Sequence, residues 1–491
     1  MRDIIFTFFN YFVFFYTSML AIFFVTFAFL SFISLKRRKD YYVESYMRKT
    51  IKESPYTPGI SVIAPAFNEE KTIIDNVNSM LALEYPLFEV VIVNDGSTDS
   101  TLKKMIEHYE LIEVPYAYIE RIKTKPFRRL FKSTSPKYSR LIVVDKENGG
   151  TKADASNAGI NVSSYPYFIC TDVDCILEKY ALYRCISPII SSDKQVIAVS
   201  GTMLMANGCV VKDGQIVDVR TPRTPIPLFQ NLEYMRSYLI GKMGWSAING
   251  MPNVSGGFGL FDRSVAIAAG GYDGTSFAED MDLITRMVGY MCDFSRPYKI
   301  VQIPDTCCWT EGPPNLAMLY RQRTRWARGL FQTLNIHRKM IFKKTYKQMG
   351  LLTLPYMFVF EFLAPIIELV GLIVFIYLAF TGAVNWNTAW MIYLTIYTFC
   401  QFLSIVVITY DYYVGMLYKR GYEYLWIIIA SILEPIFYHP IITFCSLRGY
   451  LSYLTNRDFK WKNMERKGFK QKEESADGTD ITAMKPEPAT I

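Results

Sequence analysis

Histidine is scarce: His108, His337 and His439 are the three in 491 residues. None lies near a candidate site, which disfavours both a zinc centre and a Ser-His-Asp triad. The nine cysteines show no metal-ligand spacing. Cys170 and Cys175 flank an acidic motif, and Cys307 and Cys308 are adjacent; in a reducing compartment they read as small buried hydrophobes. Charge is missing in places too. Residues 4–35 carry no charged side chain, and neither do residues 386–410. A helix needs about 20 apolar residues to cross the hydrocarbon core, so both runs qualify. Residues 351–380 and 424–444 are also apolar but hold Glu361, Glu368 and Glu434. No internal repeat is present.

The net charge of +8 is locally concentrated. Lys36, Arg37, Arg38 and Lys39 follow the first apolar run directly, so the positive-inside rule predicts an external amino end and a cytoplasmic globular region. Basic clusters beside membrane segments argue against a nucleic-acid partner. The first run is about twice the length of a signal-peptide core, with its basic cluster on the wrong side for cleavage.

Between the apolar runs, strands and helices alternate. Residues 60–64 (ISVIA) and 88–93 (FEVVIV) read as buried strands, as do 141–144 and 167–171. Residues 71–83, 100–109 and 153–160 have helical character. Such alternation implies a parallel sheet covered by helices, whose ligands sit at the carboxyl ends of the strands. Asn68, Glu69 and Asp95 fall there. Residues 120–140 are basic and read as a surface excursion. Residues 471–491 are polar, without apolar period, and read as a disordered tail.

Asp172-Val173-Asp174 ends a strand, where residues two apart point the same way. Two carboxylates on one side repel unless a cation lies between them, and Mg²⁺ or Mn²⁺ binds through one or two carboxylates plus substrate phosphates. Asp95 can accept a hydrogen bond from a base or ribose; it can equally belong to helix capping with Asn94, Ser97 and Thr98. Asn68 and Glu69 also fit a loop and a first-turn charge. Glu279-Asp280 follows the glycine-rich residues 255–259 and 270–271. A carboxylate there can take a proton from an acceptor hydroxyl, or can simply start the helix that follows. Gln322, Arg325 and Trp326 lie in a basic helical stretch with Arg321, Arg323 and Arg328. Guanidinium groups suit a pyrophosphate and an indole can stack on a sugar ring. An interfacial helix with snorkelling arginines fits the same spacing.

From about residue 59 to residue 326 the chain resembles the membrane-bound family-2 glycosyltransferases. The resemblance rests on PAFNEE (65–70), VNDGSTDST (93–101), GGTKADASNAG (149–159), TDVD (171–174), SGGFGLF (255–261), AED (278–280) and QRTRW (322–326). QRTRW is similar to the processive branch that makes chitin-like, hyaluronan, cellulose or poly-N-acetylglucosamine chains. Two positions depart from the family pattern: the lysine motif runs Lys152-Ala153-Asp154-Ala155-Ser156-Asn157 without its leucine, and Ala278 stands where threonine is common.

The resemblance implies an α/β GT-A fold, Rossmann-like with a mainly parallel sheet, in a cytoplasmic domain, plus an α-helical transmembrane region. It divides the chain into a transmembrane helix (1–35), a basic linker (36–58), the glycosyltransferase domain (59–335), about three interfacial and transmembrane helices (336–453) and a basic, then disordered, cytoplasmic tail (454–491). It implies that Phe67, Glu69 and Asp95 bind the uridine end, Lys152 the diphosphate, Asp172 the nucleotide and Asp174 the metal, Mg²⁺ or Mn²⁺. Asp280, with Glu279 beside it, becomes the catalytic base, and Gln322, Arg325 and Trp326 the clamp on pyrophosphate and acceptor. The implied reaction is inverting transfer from a UDP-sugar, with UDP-N-acetylglucosamine the expected donor, to a growing β-linked polysaccharide in the plasma (inner) membrane, with export partners to receive it. Two rivals stand beside it: single addition to a polyprenyl-phosphate or other lipid, and a non-enzymatic membrane subunit with a decayed domain. The intact Asp95, Asp174, Asp280 and Arg325 argue against the last. One conflict concerns the membrane. Three carboxy-terminal crossings put the tail outside, while Arg457, Lys460, Lys462, Arg466 and Lys467 ask for the inside. Either Pro365 splits its apolar run, or Glu434, Pro435 and Pro440 turn the last one back.

Overall fold

Ile60, Val62, Ile63 and Ala64 are fully buried, as a strand with neighbours on both edges and helices on both faces must be. They belong to the first strand of a ten-stranded sheet in a computed structural model that describes residues 2–41, 44–173, 175–212 and 214–455. In chain order the strands are β1 (Ile60–Ala66), β2 (Phe88–Asp95), β3 (Leu111–Glu113), β4 (Phe127–Ser133), β5 (Leu141–Lys146), β6 (Tyr167–Thr171), β7 (Ile176–Leu177), β8 (Gln195–Met205), β9 (Val210–Lys212), β10 (Gln215–Asp218), β11 (Phe258–Asp262) and β12 (Tyr298–Thr310). The sheet order is β3-β4-β5-β2-β1-β6-β11-β8-β12-β7; β9 and β10 form a separate hairpin.

The centre, β5-β2-β1-β6, is parallel. Beyond β6, β11 runs antiparallel between β6 and β8, while β12 pairs parallel with β8. The basic excursion 120–140 contains β4, which extends the sheet edge against β5 with β3 outside it. This is the GT-A architecture: an α/β sheet with a parallel half and a mixed second half.

Alternate side chains of the central strands enter two cores. Ile63, Val91 and Val93 pack with Ala153, Ala155 and Ala158 of helix Lys152–Val162 on one face. Val62, Val90 and Ile92 pack on the other with Val77 and Met80 of helix Ile73–Leu81 and Leu182 and Ile186 of helix Ala181–Ile190. Each buried Val, Leu or Ile contributes roughly 1.5–3 kcal/mol. Small residues let helix Lys152–Val162 lie close: a Cβ on Gly159 would stand 2.3 Å from Ile63 Cγ2.

Helix Arg2–Tyr41 runs past residue 35, and helix Glu44–Glu53 follows it, so most of the expected linker is helical. Lys and Arg are good helix formers, and the true stop comes at Pro55 and Pro58. Among the described residues three helices are long and apolar enough to cross a membrane: Tyr11–Arg38, Met349–Phe380 and Trp386–Val414. Helices Gly421–Phe437 and His439–Leu454 form a pair bent by 50°. Pro365 lies in the first turn of helix Ala364–Phe380, after the π-helical turns Met349–Thr353 and Met357–Phe362. Leu372, Ile373, Phe380, Trp390 and Ile405 point outward, as lipid-facing residues do. The expected tail beyond residue 455 lies outside the described residues.

Candidate active site

The loops after β1, β2 and β6 meet at one end of the sheet because these three strands run parallel. After β1, Asn68 adopts φ 57°, a left-handed conformation that Asn tolerates better than most residues. Its carboxamide accepts from Thr98 N at 2.8 Å, while its own N–H donates to Ser97 Oγ at 3.1 Å. Glu69 N donates to Thr101 Oγ1 at 2.8 Å, and Glu70 N to Asp99 Oδ2 at 3.2 Å. The PAFNEE and NDGSTDST motifs therefore hold each other as one surface. Phe67 stands on it, partly exposed.

Asp95 closes β2. Its Oδ1 accepts from Lys146 Nζ at 2.7 Å and from Gly149 N at 3.0 Å. Lys146 closes β5, is fully buried, and also pairs with Asp154 at 2.6 Å. Asp95 is not the cap of helix Thr101–His108; Ser100 holds that position. The sequence reading missed Lys146, whose signal was a charged residue ending an apolar parallel strand.

Lys152 opens helix Lys152–Val162, where Thr151 caps through Asp154 N. Its ammonium pairs with Asp172 at 2.8 Å and donates to the Gly256 carbonyl at 2.6 Å. One lysine thus joins the GGTKAD, TDVD and SGGFG motifs. Burial works against its charge, but Asp172, Cys170 and Glu279 outweigh that and hold its pKa above the usual lysine value. Asp174 lies outside the described residues.

Glu279 and Asp280 begin helix Glu279–Asp293, as the helix-start reading expects. Asp280 Oδ1 accepts from Met281 N at 2.9 Å and Oδ2 from Asn253 Nδ2 at 3.3 Å. Burial raises the Glu279 pKa, and Lys152 and Arg325 pull it back. Asp282 is turned away from the cavity, bonding His337 Nε2 at 2.8 Å and pairing with Arg286 at 2.7 Å. That network ties this helix to the end of helix Leu316–Ile336, which carries Gln322, Arg325 and Trp326.

Arg323 and Arg328 on that helix are buried, unlike snorkelling arginines. Arg323 grips Glu233 with both terminal nitrogens, at 2.7 and 2.5 Å, and its guanidinium lies 4.5 Å from the Trp326 ring centroid. Gln322 Oε1 accepts from Gln230 Nε2 at 3.0 Å. Glu233 and Gln230 sit on helix Pro225–Arg236 and gave no signal in the sequence. A cavity of about 710 Å³ brings Lys152, Asp172, Glu279, Asp280, Gln322, Arg325 and Trp326 together. Phe67, Glu69 and Asp95 are not on its wall. It runs on to Glu361, Ser446 and Tyr450 of the apolar helices, and its volume is that of a small-molecule site.

The Glycosyl transferase family 2 signature matches residues 61–203, and that of Glycosyl transferase family group 2 matches residues 222–444. The chain carries glycosyltransferase family 2 domains. Poly-beta-1,6-N-acetyl-D-glucosamine synthase of Staphylococcus aureus (strain COL) is 29% identical over 278 residues, 56% of this chain and 55% of that protein. The protein of that name from Staphylococcus epidermidis is 27% identical over 282 residues, 57% of each chain. The chain thus spans about half the length of the curated relatives it matches. Among solved structures, the mannosyltransferase PcManGT from Pyrobaculum calidifontis is 16% identical, covering 89% of this chain and 100% of that one, with a TM-score of 0.47.

Proposed function

We propose that this protein is a membrane-embedded, inverting glycosyltransferase that moves a sugar from a UDP-sugar, with UDP-N-acetylglucosamine as donor, to a growing β-linked polysaccharide. One observation carries the reading: a single cavity joins Lys152 and Asp172 to Asp280 and Trp326 and continues among the apolar helices. A one-sugar transfer to a small soluble acceptor has no need of that extension.

In this mechanism Phe67, Glu69 and Asp95 receive the uridine end on the surface formed by the two laced loops. Lys152 and Arg325 meet the diphosphate. Trp326, held flat by Arg323, stacks on the acceptor sugar. Asp280 takes the proton of the acceptor hydroxyl, and the acceptor oxygen attacks the anomeric carbon from the face opposite UDP. The bond from that carbon to the diphosphate breaks, and UDP leaves with the electron pair, its charge met by Arg325 and Lys152.

Among the described residues no cluster of three metal-ligating side chains occurs. A hard cation such as Mg²⁺ or Mn²⁺ is bound through one or two carboxylates and substrate phosphates. Asp174, with Asp172 beside it, would hold Mg²⁺ or Mn²⁺. When bound, the ion neutralises charge on the diphosphate.

The same reading makes the protein multi-pass, with the catalytic domain in the cytoplasm. It crosses through Tyr11–Arg38, Ala364–Phe380 and Trp386–Val414, and the bent pair lies against the catalytic domain. Export partners would receive the polymer.

Membranes containing the protein, given Mn²⁺ or Mg²⁺ and a panel of radiolabelled UDP-sugars, test this. High-molecular-weight product from one donor, stopped by EDTA and restored by the metal, is expected. A short, lipid-extractable product would favour single addition to a polyprenyl-phosphate, and no product from any donor would sink the reading.

A further inference from the structure

Lys242 is the last residue of a π-helical turn, Ser237–Lys242, that continues helix Pro225–Arg236 without a break. Such turns often mark functional sites. Its side chain is 7% exposed and lines the cavity with Asp280, Asn253 and Tyr238. Two other cations of that cavity already have protein anions: Lys152 has Asp172 and Arg323 has Glu233. Among the described residues the Lys242 ammonium makes no hydrogen bond and no ion pair; it lies 4.6 Å from the Tyr238 ring centroid.

An amine kept at this position without an anion is costly to the fold. Burial pulls its pKa down to about 8, with Asp280 pulling the other way. A methionine would fill the same volume without that cost. The unused N–H groups point to an oxygen-rich ligand. Asp280, the proposed base, lines the same cavity as Lys242, and its charge opposes the effect of burial.

We propose that Lys242 is an acceptor-binding residue, donating hydrogen bonds to hydroxyl oxygens of the acceptor sugar beside Asp280. The inference rests on the transferase reading above. It adds a contact from the 237–242 turn, which packs against β8 and β12.

The test uses the full chain in detergent or nanodiscs, radiolabelled UDP-N-acetylglucosamine, and a β-linked N-acetylglucosamine pentasaccharide as acceptor probe. Lys242→Met should raise the acceptor KM about tenfold or more, leaving the KM for the UDP-sugar and the Kd for UDP within about twofold. Lys242→Arg should recover part of the acceptor affinity, since it restores donors to the same oxygens. Thermal unfolding of Lys242→Met at or above the wild-type temperature separates lost binding from lost fold. An unchanged acceptor KM overturns the inference. So does a parallel rise in the UDP Kd, which would move Lys242 to the diphosphate, or a Lys242→Met protein that melts well below wild type, which would make it a structural residue. Wild-type protein that transfers sugar from no donor overturns the transferase reading, and this inference with it.

Discussion

Replacing Asp282 with asparagine should loosen the two helices that carry the proposed reacting groups. Asp282 is 1% exposed. It bonds His337 at 2.8 Å from the far end of the QRTRW helix, and Arg286 Nε at 2.8 Å from its own helix. An exposed ion pair of this kind is worth at most about 1 kcal/mol. Breaking a buried one costs about 3–5 kcal/mol, because the surviving partner is left without its charge. Arg286 keeps 24% of its side chain in solvent, which places the cost near the lower end, about 3 kcal/mol. At roughly 2 °C for each kcal/mol in a large domain, the unfolding midpoint should fall by about 6 °C, read at one fixed scan rate.

The pH dependence has a definite sign. Burial alone would raise the Asp282 pKa, but the bonds from His337 and Arg286 reverse that and hold it below the usual carboxylate value. A depressed folded-state pKa gives stability that is fully present above the unfolded value, about 4, and lost as pH falls through the folded one. The gap between wild type and Asp282→Asn should therefore be constant above about pH 5 and close in stronger acid. A midpoint shift below about 1 °C at neutral pH, or a gap that widens in acid, would refute the account.

Three shorter predictions concern the site and its supports. Asp280→Asn should lower transfer by about 10²–10⁴-fold while UDP affinity, read by calorimetry, stays unchanged; equal loss of both would remove Asp280 as the base. Gly449→Leu should detach helix His439–Leu454 from the QRTRW helix, since even a Cβ there would stand 2.6 Å from Thr324 O and 2.7 Å from Ala327 Cβ. A loss of about 1–3 kcal/mol should appear in thermal unfolding, and wild-type stability would disprove the close approach. Lys242→Met should be more stable than wild type below pH 8, because a drop from 10.5 to about 8 corresponds to about 3 kcal/mol. That gain should fade as pH rises from 8 toward 10.5, where the unfolded lysine also loses its proton; a gain growing with pH would reverse the argument.

The central strands were legible because burial on both faces leaves unbroken apolar runs, as in ISVIA and FEVVIV. The parallel order then puts residues 67–70, 95 and 172 at one end without any knowledge of side chains. What stayed hidden was non-local. Lys146 reaches Asp95, and Glu233 reaches Arg323 across 90 positions; no period or propensity links such pairs. The antiparallel insertion of β11 between β6 and β8 is hidden for the same reason. Lys242 was hidden differently. A π-turn shifts the helical phase by a residue, so a lysine that a regular period would assign to another face arrives in the cavity.

The membrane conflict shows the same limit in hydropathy. Counting apolar residues makes 424–444 a crossing, yet helix Gly421–Phe437 is pinned to the catalytic domain near both ends. Glu423 pairs with Arg223 at 2.9 Å, and Glu434 with Arg236 at 2.7 Å. A helix rises 1.5 Å per residue, so a crossing helix would carry its second glutamate far from any residue that bounds the same segment outside the membrane. Arg223 and Arg236 bound one such segment, helix Pro225–Arg236. After the bend at Tyr438, helix His439–Leu454 runs along the QRTRW helix: Arg448 donates to Tyr320 OH at 3.2 Å, and Asn335 donates to Tyr453 OH at 3.1 Å. Thr455 therefore emerges on the side of the catalytic domain. On the proposed topology, three crossings in place of four return the chain after Thr455 to the compartment of Lys36 and Arg37, as the positive-inside rule asks.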